Sequence, residues 1–342
     1  MHLIDQQLNL MLRGRFDEAW RLSERLEQEE PENIRHQFNR GWFLLHQGKF
    51  QEGFRMLEVG RFLSVYGNPR PSTKKPIYDL SSIKGKRIII YLEGGLGDQI
   101  IHARFATTVS NRGGYCIVCC EQPLQSLVSR IPGVQEVISV DKISITEHDY
   151  WMPGFSCGWL LGFDYQSLPN QQYIFPLPEK VKEWKSIVNS DKIKIGIRWS
   201  GNPKFEHQQF RIFPPEKILN LRKHKEFQFY SLQKDNDVME LPEEIIDLEP
   251  MLKSWDDTAA AIENLDLVIT SCTSIAHVSS AMGKPTWVLV PILPYHVWTY
   301  GSDTSPWYQQ TTRLYRQTHY GNWDEPFQRL EIDLLKKFNI KS

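Results

Sequence analysis

IKIGIRWSGNP (residues 193–203) and LDLVITSCTSIAHVSSAMGKPTWVLV (residues 265–290) are the two stretches that decide the fold. The first is an apolar strand that stops at a Ser-Gly-Asn-Pro turn. The second runs from a buried-type strand into a hydroxyl-rich segment with Thr273 and Ser274, then a small-residue helix and another apolar strand. This alternation predicts a parallel α/β sheet. Hydroxyls at a helix start can join the free backbone N–H groups there to hold a phosphate, so the pattern suggests a nucleotide diphosphate ligand.

The same alternation begins upstream of these stretches. Residue patterns predict strands and helices in turn, over residues 87–92, 98–112, 115–120, 125–130 and 137–140. Such βαβ units imply a doubly wound sheet, so we expect two Rossmann-like domains, over residues 87–180 and 181–342. The aromatic, glycine-rich segment 141–178 has little clear period and suits a crossover region, and the tail is expected to pack back as a helix.

The first 66 residues carry a repeat. LRGRF, from residue 12, recurs as HQGKF, from residue 46, which is a period of about 34 residues and typical of tetratricopeptide helix pairs. An ordinary helical hairpin with coincidental spacing is the alternative. We expect these helices to cap the neighbouring domain, to bind a protein partner or to mediate self-association. Residues 67–86, rich in Pro, Ser and Lys, predict a linker.

Composition excludes several classes of protein. The chain has 342 residues with 41% hydrophobic and 24% charged residues and a formal net charge of −1, which argues against a nucleic-acid partner. The five cysteines are an odd number in a large chain and predict reduced thiols. Asp5 and repeated glutamines interrupt any signal peptide, and no apolar run approaches the roughly 20 residues of a membrane span. We therefore expect a cytoplasmic protein, at most peripheral to the inner membrane.

The first α/β strand ends in EGGLGDQ (residues 93–99). Its glycines let the backbone turn tightly beside a ligand, and Asp98 falls at the helix start, where an aspartate is most often a cap. The loop is also a partial dinucleotide fingerprint, with Glu121 where a ribose-binding acid would lie. Because Ile100 stands in place of the third glycine, this dehydrogenase interpretation is weakened.

Cys116, Cys119 and Cys120 are the cysteines that most resemble a metal-ligand set. On a strand they alternate faces, and they lack a second pair or a suitably spaced histidine. The sequence therefore predicts no metal site and no cofactor.

The whole pattern from about residue 87 to 320 resembles the ADP-heptose:lipopolysaccharide heptosyltransferase family, and still more the bacterial tetratricopeptide-repeat proteins that carry such a glycosyltransferase domain. The segments that carry the resemblance are GLGD, EQPLQSLVSRIPGVQEVI, IGIRWSGNP, RIFP (residues 211–214), DDTAAAIENLDLVIT and TSIAHVSSAMGKPTWVL. The resemblance implies a GT-B fold, in which two Rossmann-like domains face a cleft, here preceded by a short all-α tetratricopeptide-like region. It also implies an inverting, metal-independent hexosyl- or heptosyltransferase whose donor is a nucleotide diphosphate sugar.

The resemblance also implies residue roles in the acceptor-side loop. Asp98 matches the general base that takes a proton from the acceptor hydroxyl, with Gly95 and Gly97 in the substrate-binding loop. Inversion needs a single well-placed carboxylate near the nucleophile, so one aspartate is sufficient. The acceptor would be a glycan, a lipid-linked molecule or a protein.

On the donor side, Arg211 matches a basic residue that contacts the diphosphate. The other residues implied to bind substrate are Arg198, Asn202, Gln233, Thr273, Ser274 and His277, with Lys204 as a supplementary cation. For His277 the alternative to a substrate contact is a hydrogen bond to its neighbours. Asp257 lies at the start of a predicted helix, and its alternative role is that of a helix cap. Cys272 stands where the family usually has aspartate, so this chain lacks that carboxylate near the implied nucleotide.

The sequence thus predicts a glycosyltransferase with a short tetratricopeptide cap. A scaffold protein with a decayed transferase domain is the second interpretation, favoured by Cys272 and opposed by the intact GLGD loop and Arg211. A nucleotide-sugar epimerase is the third and would need a second acid or base in the site, for which Glu93 is the candidate.

Overall fold

A computed structural model describes residues 2–67, 71–202, 208–234, 241–298, 302–308 and 311–340. The chain forms two compact units, Met1–Leu10 with Phe16–Phe175 and Met11–Arg15 with Pro176–Ser342. Most of the N-terminal helical segment therefore shares one unit with the first α/β sheet. In the described ranges no helix is both long enough and apolar enough to cross a membrane.

Helices open the chain in the order expected from the repeat. They are α1 (Leu3–Leu12), α2 (Phe16–Glu29), α3 (Ile34–His46) and α4 (Phe50–Leu57). The repeated glycines, Gly14 and Gly48, lie at the turns after α1 and α3. The repeat therefore corresponds to two helical hairpins, while their tetratricopeptide nature stays a prediction. A 3₁₀ turn, Glu58–Arg61, follows α4 directly.

The first unit carries a four-stranded parallel sheet in the order β3-β2-β1-β4. Its strands are β1 (Arg87–Tyr91), β2 (Tyr115–Cys119), β3 (Val134–Ile138) and β4 (Tyr150–Pro153). Its helices are α5 (Leu96–Ala103), α6 (Phe105–Asn111), α7 (Gln125–Ser129) and α8 (Cys157–Leu160). Ile88, Ile89 and Ile90 are all completely buried, as a parallel strand covered on both faces requires.

Several boundaries in this unit differ from the sequence prediction. The helix predicted over residues 98–112 is interrupted at Arg104, whose buried guanidinium donates to the Ile101 carbonyl (2.8 Å). The strand predicted at residues 137–140 lies earlier, at β3, and β4 was not predicted at all. β4 is a short edge strand that ends in a proline, so it carries little periodic signal.

The segment predicted as a linker packs on the edge of this sheet over its described part. Tyr78 and Ile83 are buried. The Tyr78 N–H donates to the Trp151 carbonyl (3.0 Å), and Ile77 forms a parallel bridge to the same residue of β4. Ile77 and Tyr78, within the predicted linker, therefore contact β4 directly.

The second unit carries a six-stranded parallel sheet in the order β10-β9-β8-β5-β6-β7. Its strands are β5 (Ile193–Arg198), β6 (Phe227–Ser231), β7 (Ile245–Asp247), β8 (Leu267–Ser271), β9 (Thr286–Val290) and β10 (Thr312–Arg316). Its helices are α9 (Pro178–Trp184), α10 (Gln208–Arg211), α11 (Pro215–Leu219), α12 (Trp255–Glu263), α13 (Ser274–Ala281) and α14 (Asp324–Lys337).

The tail was predicted as a helix that packs back, and the structure shows both a strand and a helix there. β10 extends the sheet of the second unit beside β9. In α14, Phe327, Leu330 and Leu334 join the core cluster that also contains Ile195 and Ile197 of β5. The tail is therefore part of the core of the second unit.

Both sheets have a point where the strand order reverses. In the first unit it lies between β1 and β4, and in the second between β5 and β8. In open parallel sheets, ligands bind beyond the carboxyl ends of the strands at such a switch point. The EGGLGD segment follows β1, the Ser-Gly-Asn turn follows β5, and the segment with Thr273 follows β8. Each sheet thus brings predicted site residues to its own switch point.

Candidate functional site

The loop after β1 fixes the Asp98 carboxylate at the start of α5. Asp98 Oδ2 accepts a hydrogen bond from the Gly95 N–H (2.9 Å), which closes the cap of the helix. Gly94 has a φ of +77°, and a Cβ there would lie 2.7 Å from Asp98 Oδ2. Since an L side chain rarely adopts this backbone conformation, the loop needs glycine. Gly97 lies in the first turn of α5, so Gly95, Gly97 and Asp98 share one loop.

A buried glutamine, Gln99, makes hydrogen bonds that hold the same loop. Gln99 donates through Nε2 to the Gly94 carbonyl (3.2 Å) and to Glu121 Oε1 (3.1 Å), and its Oε1 accepts from the Glu121 N–H (3.0 Å). Glu121, the acid considered for ribose binding, therefore makes two hydrogen bonds with Gln99. This contact joins the loops after β1 and β2.

Glu93, which precedes this loop, is engaged by an arginine of the helical segment. Arg61 donates to both carboxylate oxygens, from Nε to Oε1 (2.6 Å) and from Nη2 to Oε2 (2.8 Å). The Phe155 N–H also donates to Oε2 (3.4 Å). Burial lowers the pKa of Arg61, but the hydrogen bond and charge of Glu93 and the charge of Glu58 outweigh it, so the pKa rises above its usual value. The sequence analysis missed this pair, because 32 residues separate its members and no motif links them.

Two residues predicted to bind substrate hold the turn after β5. Arg198 donates from Nε to the Ser200 carbonyl (2.9 Å) and from Nη1 to the Leu232 carbonyl (3.2 Å). Gln233 Oε1 accepts from the N–H groups of Trp199 (3.3 Å) and Ser200 (3.1 Å), and its Nε2 donates to Ser200 Oγ (2.9 Å). Any contact of Gln233 with a base would have to replace one of these bonds. Both side chains are buried.

Two predicted residues, Arg211 and Thr273, meet Gly201 at the switch point of the second unit. A Cβ placed on Gly201 would lie 2.8 Å from Arg211 Nη2 and 3.1 Å from Thr273 Cγ2. Arg211 Nη1 also donates to the Cys272 carbonyl (3.5 Å). The guanidinium therefore lies between the turn after β5 and the start of α13. Asn202 is exposed at the end of the same turn, and Lys204 lies outside the described residues.

The start of α13 faces this guanidinium with polar groups. Thr273 is the N-cap, in an extended conformation, and its hydroxyl lies 3.3 Å from Thr270 Oγ1. Ser274 is the first helical residue and is half-buried. The first N–H groups of a helix have no partner within it and carry the positive end of the helix dipole. With Arg211 they make a region of positive potential suited to an anion.

Cys272, in place of the aspartate expected from the family, is a buried neutral thiol. Its Sγ donates to the Leu289 carbonyl of β9 (3.4 Å). Burial raises the pKa of this thiol to about 12, although the charges of Arg211 and Arg316 lower it. No negative charge at this position offsets Arg211. Arg316, at the end of β10, was missed by the sequence analysis, because β10 itself was not predicted.

His277 lies one turn into α13 among aromatic side chains. Its ring stacks on Trp298 with centroids 5.1 Å apart and an angle of 8° between the planes. Its Nδ1 lies 3.3 Å from the hydroxyl of Tyr308. All of these side chains are buried. The structure therefore shows the neighbour contacts considered as the alternative for His277, and its contact with a substrate stays a prediction.

Asp257 has a visible structural role between two helices. Its Oδ1 accepts from Lys180 Nζ (2.8 Å) and from Trp184 Nε1 (3.3 Å), and its Oδ2 accepts from Ser254 Oγ (2.7 Å). Burial by itself raises the pKa of Asp257, but these hydrogen bonds lower it by a larger amount. The pKa of Asp257 therefore lies below its ordinary value. The carboxylate thus joins α9 to the start of α12.

The described residues contain no group of three or more histidine, cysteine or acidic side chains that could hold a metal ion. Cys116, Cys119 and Cys120 are all buried. Burial raises the pKa of Cys119 and Cys120 to about 12, which keeps both thiols neutral.

Comparison with known proteins shows the fold. No protein-family model matches the chain. Heptosyltransferase II of E. coli, described as an ADP-heptose lipopolysaccharide heptosyltransferase, superposes with a TM-score of 0.51 at 12% identity, covering 74% of this chain and 99% of that one. A family 9 glycosyltransferase from Veillonella parvula superposes with a TM-score of 0.52 at 13% identity, covering 77% and 92% of the two chains. The chain therefore has the mixed α/β architecture of these glycosyltransferases.

A sequence relative covers more of the chain but is itself much longer. Protein FlbA of Caulobacter vibrioides is 24% identical over 335 residues, which covers 87% of this chain. The chain spans 54% of the length of this relative.

Proposed function

We propose that this chain is a glycosyltransferase that moves a sugar from a nucleotide diphosphate to an acceptor hydroxyl. The observation that carries the proposal is the convergence of Arg211, Gly201 and Thr273 at the switch point of the second unit. The likeness in fold to the E. coli and Veillonella transferases supports it.

In the proposed reaction the second unit holds the nucleotide. The diphosphate lies between the Arg211 guanidinium and the N–H groups at the start of α13, with the Thr273 and Ser274 hydroxyls beside it. As the bond to the sugar breaks, negative charge grows on the diphosphate. Fixed cations and N–H dipoles aimed at that charge stabilise the transition state more than the ground state. Metal independence is part of the proposal, since these groups can take over that role.

The first unit supplies the base in this proposal. Asp98 takes the proton from the acceptor hydroxyl as the hydroxyl oxygen attacks the anomeric carbon from the face opposite the leaving group. One carboxylate is enough for inversion, and it must be held in place, which the Gly95 N–H does. The proposal includes the GT-B arrangement, with the acceptor on the N-terminal domain and the donor on the C-terminal domain.

The epimerase alternative loses its candidate for a second acid or base. Glu93 is buried, and Arg61 binds both of its oxygens. A carboxylate held in this way is poorly placed to exchange a proton with a sugar. Transfer by Asp98 alone therefore fits this loop better than epimerisation.

Donor and acceptor are proposed only as classes. Since the E. coli neighbour is named for ADP-heptose, ADP is the first nucleotide to test. The acceptor is a glycan, a lipid-linked molecule or a protein. The helical hairpins are proposed to bind a protein partner or a second copy of the chain.

A thermal-shift panel tests the proposal. The wild type and Arg211→Ala are heated with ADP, UDP, GDP, CMP or dTDP. A ligand that binds only the native state, present at ten times its dissociation constant, stabilises it by about 1.4 kcal/mol. We expect one nucleoside diphosphate to raise the Tm of the wild type and to have a much smaller effect on Arg211→Ala. No shift with any nucleotide at millimolar concentration would favour the scaffold interpretation.

A further inference from the structure

The 3₁₀ turn after α4 makes a buried polar contact with the loop that carries Asp98. Arg61, in this turn, binds Glu93 through two parallel hydrogen bonds of 2.6 and 2.8 Å. The same guanidinium donates from Nη1 to Glu58 and from Nη2 to Ser156 Oγ (2.9 Å). It therefore joins the helical segment to the loops after β1 and β4, which flank the switch point of the first unit.

A backbone hydrogen bond reinforces this contact one residue closer to the base. The Gly94 N–H donates to the Tyr66 carbonyl (2.9 Å). The Tyr66 ring stacks on Phe155, with centroids 4.2 Å apart, and its hydroxyl donates to the Leu57 carbonyl (2.7 Å). Gly94 is the residue whose Cα lies against the Asp98 carboxylate. Tyr66 thus holds the backbone at Gly94, next to the Gly95 N–H that binds the Asp98 carboxylate.

Burial makes this pair different from a surface ion pair. Glu93 is 4% exposed, whereas the Arg61 side chain keeps 22% of its surface exposed. Taking the carboxylate and most of the guanidinium out of water is costly, so the pair is weak support for stability, and its two bonds instead define one arrangement of the loop. Two parallel hydrogen bonds to a carboxylate also fix an orientation that a single contact leaves free.

We propose that Arg61 is a positioning residue for the reaction, acting through Glu93 to hold residues 94–98 in the geometry that places the Asp98 carboxylate. This inference rests on the proposed function, because it assigns Asp98 as the base. It makes the end of the helical segment part of the acceptor-side site. Misplacing a reacting group by about 1 Å can lower a rate about a hundredfold, so a loosened loop should reduce kcat without unfolding the unit.

The test uses variants that separate positioning from stability. Arg61→Met with Glu93→Gln removes both charges of the pair. Glu58 then loses its cation but keeps the hydrogen bonds from Ser156 Oγ and Trp159 Nε1. Arg61→Lys keeps the charge but cannot make two parallel bonds. Arg25→Met is the matched control, since Arg25 forms an exposed ion pair with Glu29 in the same helical segment. Each full-length variant is assayed for cooperative thermal unfolding, for kcat and KM, for nucleotide affinity, and for hydrogen exchange of residues 94–98.

We expect the double variant to unfold cooperatively and to bind nucleotide as the wild type does. Its kcat should fall about tenfold or more, and the amides of residues 94–98 should exchange about tenfold or more faster. Arg61→Lys should be intermediate in both, and Arg25→Met should match the wild type. Unchanged kcat or unchanged exchange in a folded double variant overturns the proposal.

Two further outcomes are also decisive. Where the double variant does not fold, Arg61→Lys decides, since wild-type kcat and exchange in that variant also contradict the proposal. A wild type without transferase activity contradicts the proposed function, and with it the role of Arg61 in the reaction. The exchange of residues 94–98 then still shows whether Arg61 holds the loop, because that measurement needs no substrate.

Discussion

The switch points of the two sheets are built alike but carry opposite charge. In the first unit, a glycine-rich loop presents a carboxylate, Asp98, at the start of α5. In the second, a tight turn at Gly201 lies against a cation, Arg211, beside the start of α13. A helix start attracts anions in both cases. In the first unit, the Asp98 carboxylate occupies the start of α5. In the second unit, the Arg211 guanidinium places a positive charge beside the start of α13.

This difference teaches how one architecture can serve two substrates. A site that already holds a capping carboxylate disfavours an anionic ligand and offers a proton acceptor to a hydroxyl. A site with a guanidinium and open N–H groups favours a diphosphate. Cys272 adds to the contrast, because the residue before the N-cap of α13 is a neutral thiol and not a carboxylate.

Asp98→Asn should have the largest effect, and it should change only the site of the first unit. The amide can still cap α5 but cannot take a proton, so the transfer rate should fall about 10²- to 10⁴-fold. The nucleotide dissociation constant should not change. Initial rates of nucleoside diphosphate release and a nucleotide titration measure the two effects. Asp164→Asn, at an exposed turn cap in the same unit, is the control. An equal loss of transfer rate in Asp98→Asn and Asp164→Asn would show that Asp98 is not the base.

Asp257→Ala should separate a structural carboxylate from a functional one. Removing it leaves Lys180 and the buried Trp184 Nε1 without this acceptor, so the free energy of unfolding should fall by about 1–3 kcal/mol. The folded-state pKa of Asp257 lies below its unfolded value. Its contribution is therefore present at neutral pH and is lost as the pH falls through the folded pKa, below about 4.

Urea unfolding at neutral pH and at about pH 3 measures this effect. The difference in free energy between wild type and Asp257→Ala should shrink at the lower pH. A difference that grows on acidification would contradict the lowered pKa. Once the variant is folded, its nucleotide affinity should equal that of the wild type.

Part of this comparison could be predicted from the sequence. The apolar strands over residues 88–90 and 267–269 run into glycine or hydroxyl segments, and that pattern predicted which strand ends carry candidate site residues. The strand order that makes these ends switch points comes from the structure. The edge strand β4 was missed because it has four residues and ends in a proline. β10 was missed because its apolar residues, Leu314 and Tyr315, lie between two arginines. Arg61 could not be predicted, because its pairing with Glu93 depends on how the helical segment folds onto the sheet. Substrate binding by Gln233 and Arg198 stays a prediction, and the structure shows that both side chains also hold the turn that contains Gly201.

Gly201→Ala should have the smallest effect, and it should change only the site of the second unit. The new methyl group would meet Arg211 Nη2, the end of a flexible side chain, and Thr273 Cγ2. The guanidinium can move, so the free energy of unfolding should change by less than about 1 kcal/mol. Nucleotide affinity should fall severalfold, because Arg211 leaves its position over the helix start. Chemical denaturation and a nucleotide titration are the measurements, and unchanged affinity would mean that the position of Arg211 does not matter.

The most direct test of the division between the two sites is one calorimetric titration. The nucleotide found in the thermal-shift panel is titrated into wild type, Asp98→Asn and Arg211→Ala under the same conditions. Loss of a charge-assisted hydrogen bond weighs about 1.5–3 kcal/mol, so Arg211→Ala should bind about 10- to 100-fold more weakly. Asp98→Asn should bind as the wild type does. Equal weakening in both variants, or full affinity in Arg211→Ala, would contradict the assignment of the nucleotide to the second unit.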